Sequence, residues 1–448
     1  MLPRALVRRV IHPLHEVLRG RPTNRFLRLY AAHDRLSTAE LQVRHDELLV
    51  ALLQHAAARV PYYRERVAEI RAASDLARFP VLDKSAVRAA GDGLKATGFR
   101  GALIPLATGG SSGEPLRFFS DQQREASQLA AKARGRAWFG VHPGMRETDL
   151  WGSPIEAAAY SGLRRCAAWA LGWRLLPAFQ LNAQTMAGFR SVLGGGRTDL
   201  LYGYASALAR YARFLAERNE RFAPGELKLV VSTAEVLLPA DRAVIEERLA
   251  APLANEFGCR DGGLIAHGCP RGTLHLMHDA VHVELLDDAG CPVPYGSEGE
   301  VVVTNLHARG YPLIRYRTGD RAAFGSPCNC GLPHPVLASV AGRMTDSVRK
   351  RDGTRVHGLA LIYMLRDVPG VQRFRCIQRA DLSLDVAVEV GPGCAREDVQ
   401  ARLAGGVAQV LGPELPLRVA FVNGFEPLPS GKHRYIVCEA VDDAPVRS

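Results

Sequence analysis

The chain has 448 residues, 47% hydrophobic and 23% charged, with a formal net charge of +11. That is ample material for a core and too much for one ordinary domain, so roughly two or three units are expected. No apolar run approaches the ~20 residues that cross a bilayer, the arginines lack the aromatic interleaving of a nucleic-acid surface, and nine unevenly spaced cysteines suit a reducing cytoplasm better than a secreted disulfide framework.

In chain order, Met1 to Arg21 is basic and amphipathic, punctuated by Arg4, Arg8, Arg9, His12, His15 and Arg19. A signal peptide is not expected there, and a solvated helix end is favoured over contact with an anionic membrane surface or an acidic partner. From Thr38 to Ala68 the apolar spacing of Leu41, Leu48, Leu49, Leu52 and Leu53 predicts helix, broken at Pro61. Thr108-Gly109-Gly110-Ser111-Ser112-Gly113-Glu114-Pro115 follows, a loop whose glycines open backbone amides to an anion while its hydroxyls add donors. It is not a Walker loop, because Glu114-Pro115 stands where Lys-Ser/Thr would be. Between about Gly101 and Thr304, β-rich runs such as Leu227 to Ser232 alternate with helical stretches such as Ala205 to Arg218 and Ala240 to Leu249, an α/β pattern. Gly194-Gly195-Gly196 marks a tight or mobile connection. His282 to Leu286 and Glu300 to Thr304, joined through Asp287-Asp288-Ala289-Gly290, read as antiparallel sheet. After Gly342 the pattern restarts with Phe374 to Ile377, Leu382 to Val386, a helical Arg396 to Leu411 and Val419 to Val422, a small α+β domain of roughly 100 residues.

Three later motifs carry charge on turns. Tyr316-Arg317-Thr318-Gly319-Asp320 presents a carboxylate able to accept from paired hydroxyls; Ala341-Gly342-Arg343-Met344-Thr345-Asp346 suits a hinge; Pro427-Leu428-Pro429-Ser430-Gly431-Lys432 presents a flexible point cation. Taken alone, a turn-capping Asp, an ordinary linker and a solvated lysine are the default explanations. Cys269 and His275 lie six positions apart, and Cys328-Asn329-Cys330-Gly331 brings two thiols onto one turn about fifty residues later. Three thiolates and an imidazole make a closed tetrahedral zinc set, with His267, His278 and Cys259 in reserve. Unliganded cysteines in a reduced protein are the alternative.

In order and spacing these motifs resemble the adenylate-forming ligase superfamily, and most closely its phenylacetate-CoA ligase branch with capsular-polysaccharide-type and deazaflavin-coenzyme synthetase-like members. Val60-Pro61-Tyr62-Tyr63-Arg64, Phe79 to Lys84, Tyr202-Gly203-Tyr204, Ser232 to Leu237 and Phe257-Gly258-Cys259-Arg260-Asp261 extend the likeness over about residues 45 to 435. The resemblance implies an α/β large domain over residues 1–342, multi-layered, with sheets and covering helices, that binds ATP and a carboxylic acid. It further implies a small α+β C-terminal lid over 343–448 that rotates between half-reactions. Thr108, Gly109, Gly110, Ser111, Ser112 and Gly113 would hold the phosphates, Asp320 the ribose hydroxyls, and Tyr202, Tyr204, Ala234 and Glu235 would lie near the base or acyl pocket. Arg343 would approach ribose or phosphate, and Lys432 would bridge the carboxylate and α-phosphate. Asp261 stands where the family usually has a magnesium-ligating Glu, so a shorter arm leaves direct or water-mediated contact open. The implied reaction makes an acyl-adenylate from a small or aromatic acid and passes it to CoA or the phosphopantetheine of a carrier protein, in the cytoplasm. Homodimerisation stays open. Amide or ester formation, nucleotidyl transfer, and a catalytically silent scaffold are the competing readings.

Overall fold

The computed structural model describes residues 2–67, 69–107, 116–151, 162–178, 181, 183–343, 347–351, 355–357, 361, 365, 368–391, 394–425 and 435–439. The chain forms two compact units, Met1–Val340 and Ala341–Ser448.

The first unit opens with helices. Thr38–Arg59 begins in a capping box: Ser37 Oγ accepts from the Glu40 amide at 3.2 Å, and Glu40 Oε2 accepts from the Ser37 amide at 2.8 Å. It buries Leu41, Leu49, Leu52, Leu53 and Ala56. It stops at Arg59, before the proline at 61 that forces Val60 into an extended conformation, and a short helix, Pro61–Arg64, follows in place of a continuation toward Ala68. Its apolar face packs with Tyr63, Phe79, Leu82, Phe118 and Tyr316 in one core. Tyr63 clamps that core, its hydroxyl donating to Pro312 O and accepting from the Ile314 amide, both at 3.1 Å.

The strands that follow are β1 (Leu103–Ala107), β2 (Arg117–Asp121), β3 (Glu147–Trp151), β4 (Trp173–Pro177), β5 (Leu200–Tyr204), β6 (Leu229–Thr233) and β7 (Leu253–Cys259). They continue through β8 (Gly263–Gly268), β9 (Leu274–Leu276), β10 (Val281–Leu286), β11 (Glu298–Asn305), β12 (Tyr316–Gly325) and β13 (Val336–Arg343). β1 and β2 form an antiparallel hairpin; the rest make one 11-stranded sheet, ordered β10-β11-β12-β13-β9-β8-β7-β6-β5-β3-β4. β4-β3-β5-β6-β7 are parallel, and the central β5 and β6 are buried along their whole length, as cover on both faces requires. The pair read as a separate antiparallel zone, β10 and β11, is antiparallel but belongs to this same sheet. Helices Ala205–Glu217 and Pro239–Leu249 lie on the core with Leu201, Leu208, Val230 and Ile245. Gly195 and Gly196 both take positive φ in the turn before β5.

The helix Gln122–Ala137 runs over the sheet and makes several of its buried polar contacts. Asp121 caps it, accepting from the Gln123 and Arg124 amides at 2.9 Å. Down its length, Gln128 Oε1 accepts from the Leu264 amide at 2.5 Å, and Arg134 pairs with Asp279 at 2.8 Å, both fully or nearly fully buried. Gly135 passes so close to β8 that an added Cβ would lie 2.4 Å from the His267 ring. Asp279 also takes His33 Nδ1 at 2.9 Å.

Around that pair, His278, His282 and His307 are held neutral. Burial is the main cause, joined by His45 and His334 around His278 and by His45 and Arg315 beside His282; Asp279 partly offsets it at His278 and His307. Their pKa values fall from the ordinary histidine range to about 2, 3 and 4. Below about pH 6.5 the unfolded chain therefore binds protons that the folded chain refuses, so stability is full above that pH and is lost as the pH falls, by up to about 1.4 kcal/mol per unit for each histidine. Urea midpoints measured at pH 7.5 and 5.5 should drop at the lower value; equal midpoints would refute this reading.

The second unit carries a four-stranded sheet in the order β18-β17-β16-β19, from β16 (Val371–Gln378), β17 (Leu384–Val390), β18 (Leu417–Phe421) and β19 (Ile436–Cys438). Its helix Arg396–Leu411 buries Val399, Leu403 and Val407. The strand expected from Leu382 starts at Leu384, because Leu382 takes φ +68° in the turn after β16. A short hairpin, β14 (Ser347–Arg349) with β15 (Arg355–His357), precedes this sheet.

Candidate active site at the carboxyl ends of the parallel strands

β3 is followed by its neighbour β4, and the chain then returns across β3 to β5, so the strand order reverses between β3 and β5. Such a reversal leaves a crevice outside the carboxyl ends of the strands, the usual ligand position of an open α/β sheet. The residues that end those strands gather there. Trp151 of β3 stacks on Tyr204 of β5 with ring centroids 4.0 Å apart, and lies 5.6 Å from Tyr202. β6 runs out into Ala234, which takes φ +65°, and Glu235, whose carboxylate accepts from the Ser206 amide at 2.8 Å and so caps the helix after β5. Glu235 thus has a structural task at the crevice.

β7 runs out into Arg260 and Asp261. Asp261 is buried, and its Oδ2 accepts from the Tyr316 hydroxyl at 2.6 Å. The carbonyls of Arg260 and Asp261 accept from Arg124 Nη2 at 2.9 and 2.8 Å, which fixes the turn to the long helix. Asp320 comes to the same place from β12. Pairing with β11 is irregular between Glu300 and Val302, and within the extra residues Gly319 takes φ +76°, which glycine alone adopts freely. That bulge turns Asp320 inward, buried, with its amide donating to Thr318 Oγ1 at 3.1 Å. Cys259 reports the closeness of both carboxylates: burial, then Asp261 and Asp320, push its thiol well above the usual range. It is a neutral packing group, with its sulfur accepting from the Gly262 amide at 3.1 Å.

The glycine loop, Thr108, Gly109, Gly110, Ser111, Ser112 and Gly113, lies outside the described residues, as does Lys432. Its flanks are described: β1 and β2 pair down to Ala107 against Arg117, and Arg260 Nη1 donates to Ala107 O at 2.9 Å. The loop therefore springs from a point tied to the neighbour of Asp261. Arg343 ends β13 and belongs to the second unit.

Beneath the aromatic residues is a charged set that sequence reading did not foresee. Tyr202 donates to Glu256 Oε1 at 2.8 Å, Lys132 Nζ stands 3.3 Å from the Tyr202 oxygen and 3.4 Å from Glu256, and Glu256 Oε2 has no hydrogen-bond partner among the described residues. Burial works against the Glu256 charge, yet Lys132 and Arg136 hold its pKa below the ordinary value, so it is an anion at neutral pH. No spacing signals this set, because Lys132, Tyr202 and Glu256 come from three elements; nor did any mark Arg124, Trp151 or Tyr316 as partners here.

A second cluster forms where the β8–β9 turn meets the loop between β12 and β13. The ligand atoms of Cys269, His275, Cys328 and Cys330 all lie within 4.8 Å of one another. Cys269 and Cys328 sulfurs are 4.0 Å apart, and Cys330 Sγ is 3.2 Å from His275 Nε2. His275 Nδ1 sits 3.0 Å from the His334 carbonyl. A carbonyl can only accept, so Nδ1 carries the proton and Nε2 keeps its lone pair toward the sulfurs. The reserve residues stand elsewhere: Cys259 beside Asp261, His267 against its own strand at the Gly268 carbonyl, and His278 stacked on His45.

No protein-family model matches the chain. It is 27% identical over 406 residues to the phenylacetate-coenzyme A ligase of Thermus thermophilus, covering 84% of this chain and 87% of that protein. It is 21% identical over 342 residues to the protein CapK of Staphylococcus aureus, covering 75% and 74%. Among solved structures it matches 2-hydroxyisobutyryl-CoA ligase in the postadenylation state, with TM-score 0.72 at 19% identity over 91% of each chain. An anthranilate CoA ligase with bound anthranoyl-AMP matches with TM-score 0.52 at 18% identity, over 75% of this chain and 67% of that one.

Proposed function

We propose, from this chain's place in the phenylacetate-CoA ligase-like branch of the adenylate-forming ligase superfamily, that it activates a carboxylic acid with ATP and transfers the acyl group to the thiol of CoA. The observation that carries the reading is the convergence of Asp261, Tyr316 and Asp320 beside the root of the glycine loop. A carboxylate oxygen of the acid attacks the α-phosphorus, the bond to the β-phosphate oxygen breaks, and pyrophosphate leaves. The thiol sulfur then attacks the acyl carbon, the carbon–oxygen bond to AMP breaks, and the thiol proton passes to solvent. Both steps bring anions together, so oriented donors and cations do the catalytic work.

Within that chemistry Asp320 accepts from the ribose hydroxyls, and residues 108–113 surround the phosphates with amides and hydroxyls. Trp151 and Tyr204 bound the acid's apolar part, which favours an aromatic or small organic acid. Arg343 and Lys432 supply cations to ribose, phosphate and carboxylate, the latter from a mobile lid. Magnesium, held by the Asp261 carboxylate, would neutralise the phosphates; one carboxylate plus phosphate oxygens is an ordinary set for that ion. Its shorter arm and its bond to Tyr316 favour a contact through water. The reduced cysteines fit a cytoplasmic location.

The test is pyrophosphate release from ATP and magnesium with a panel of aromatic and short aliphatic acids, with and without CoA. Acid-dependent release, followed by CoA-dependent thioester formation, is expected. No release with any acid of the panel, together with no ATP binding, would leave a silent scaffold as the better account.

The three-sulfur, one-nitrogen cluster fits a structural zinc ion that staples the β8–β9 turn to the β12–β13 loop, since all four positions of a tetrahedron are filled. The His275 Nε2 lone pair already faces the sulfurs, as ligation of such an ion requires. Elemental analysis of gently purified protein should find about one zinc per chain, and chelation should lower the thermal midpoint. Only a trace of zinc, with no response to chelator, would rule the staple out.

A further inference from the structure

We propose that the helical N-terminus is a docking face for a membrane surface rich in acidic phospholipid. The chain is helical from Arg4 to Leu18, with α-helix at Arg4–Leu6 and His12–Leu18 and one π-helical stretch, Val7–Ile11, between them. In an uninterrupted α-helix, residues four apart drift by about 40° per step, and Leu6, Val10, Leu14 and Leu18 would wind off one face. The wider π turn takes back part of that drift. As a result Leu6, Val10, Leu14, Val17 and Leu18 are 42%, 52%, 54%, 68% and 78% exposed. The remaining large apolar side chains exposed among the described residues, Val43, Leu129, Trp169 and Tyr295, belong to separate elements. Single exposed apolar groups are ordinary, whereas five on one short helix make a patch.

The opposite side of this helix is anchored. Val7 and Glu16 are buried, and Glu16 accepts from Arg21 at 2.9 and 2.6 Å and from Thr23 Oγ1 at 2.5 Å. Arg4 makes a two-pronged contact with Asp199 at 2.8 Å, and Gly144 lies so near that a Cβ there would come within 2.6 Å of the Arg8 amide nitrogen. The stripe is thus displayed by a helix held on the protein body.

Charge identifies the occupant. From Met1 to His33 the sequence has arginines at 4, 8, 9, 19, 21, 25 and 28, against the single acid Glu16. Glu16 is neutralised by Arg21, while Arg8, Arg9, Arg19, Arg25 and Arg28 remain exposed. An apolar stripe on a segment whose exposed charges are all arginines is the chemistry of an interfacial helix on anionic lipid. A second copy of the chain would set like charge against like. No helix among the described residues is long and apolar enough to cross a membrane, so the contact is peripheral.

The experiment is co-sedimentation of the full-length protein with vesicles of phosphatidylcholine alone and of phosphatidylcholine containing about one quarter phosphatidylglycerol. Partition into the acidic vesicles at least about tenfold above the neutral ones is expected, reversed near 1 M salt, where the Debye length falls to about 3 Å. Leu14→Glu and Val17→Glu, both at exposed positions, should each cut that partition by about tenfold with thermal unfolding unchanged. The proposal falls if the protein stays in the supernatant with acidic vesicles, if neutral vesicles bind as well, or if both variants bind like the parent. Sedimentation velocity supplies the last arm: a dimer that Val17→Glu dissociates would assign the stripe to a second copy and overturn the lipid.

Discussion

Lys432→Ala should lower the rate of acyl-adenylate formation by about 10²–10³-fold, the usual consequence of removing one group that meets charge only as it develops in the transition state. When the acid's carboxylate closes on the α-phosphate, two anions share a space that water leaves, and a single ammonium between them offsets a repulsion that no neutral donor can. On the proposed reading the glycine loop would spread its donors over several amides, so losing one would cost less; the lysine would have no such redundancy. Lys432 follows β18 and precedes β19 in the second unit, so the large unit should unfold at the same temperature in variant and parent. Acid-dependent ATP–pyrophosphate exchange reads the first half-reaction alone. Thioester formation from a chemically prepared acyl-adenylate reads the second, which the substitution should leave nearly intact. A variant with full exchange activity would remove this lysine from the mechanism.

Asp279→Asn should destabilise the large unit by about 3–5 kcal/mol, because it breaks a buried ion pair from one side only. Arg134 meets Asp279 at 2.8 Å where neither side chain reaches solvent; Asp34, at 3.8 Å, is too far to take over the charge. The asparagine keeps the shape, so no cavity confuses the measurement, and what remains is a guanidinium in the core with half its compensation gone. Burial works against the Asp279 charge, yet Arg134 and the His33 hydrogen bond hold its pKa far below the carboxylate range. Its stabilising contribution is therefore present above about pH 4 and lost only as the pH falls further. Denaturant unfolding at pH 7.5 is the right assay, with protein-level controls for yield. A loss under about 1 kcal/mol would mean that the pair contributes no more than a surface bridge.

What the sequence disclosed follows from how local each signal is. The α/β class was legible because parallel strands under helices are short apolar runs between amphipathic segments, and β5, β6 and the helices after them satisfy that pattern. The helix from Thr38 was legible through its periodicity, as was its break at Pro61; only the far end was placed too late, since the second helix stops at Arg64. The order of motifs led to the family. Pairings across long separations gave no such signal. Arg134 and Asp279 are 145 residues apart, and Trp151 meets Tyr204 only because the chain crosses back over β3. The N-terminal segment was legible as basic and amphipathic, but not which of its faces is exposed, because a helix buried on the apolar face would have carried the same residues.

The helix Gln122–Ala137 touches a different partner at nearly every turn: Arg124 at the carbonyls beside Asp261, Gln128 at β8, Lys132 at Tyr202, Arg134 at Asp279 and Arg136 at Glu147. A substitution at one of those residues disturbs the contacts at one place along the helix. Chain length is another matter. One inserted or deleted residue anywhere in the helix swings everything beyond it by about 100° and slides it by about 1.5 Å, so every later partner is missed together. A change of residue type is thus felt at one contact, whereas a change of length between the first and last contacts is felt at all of them.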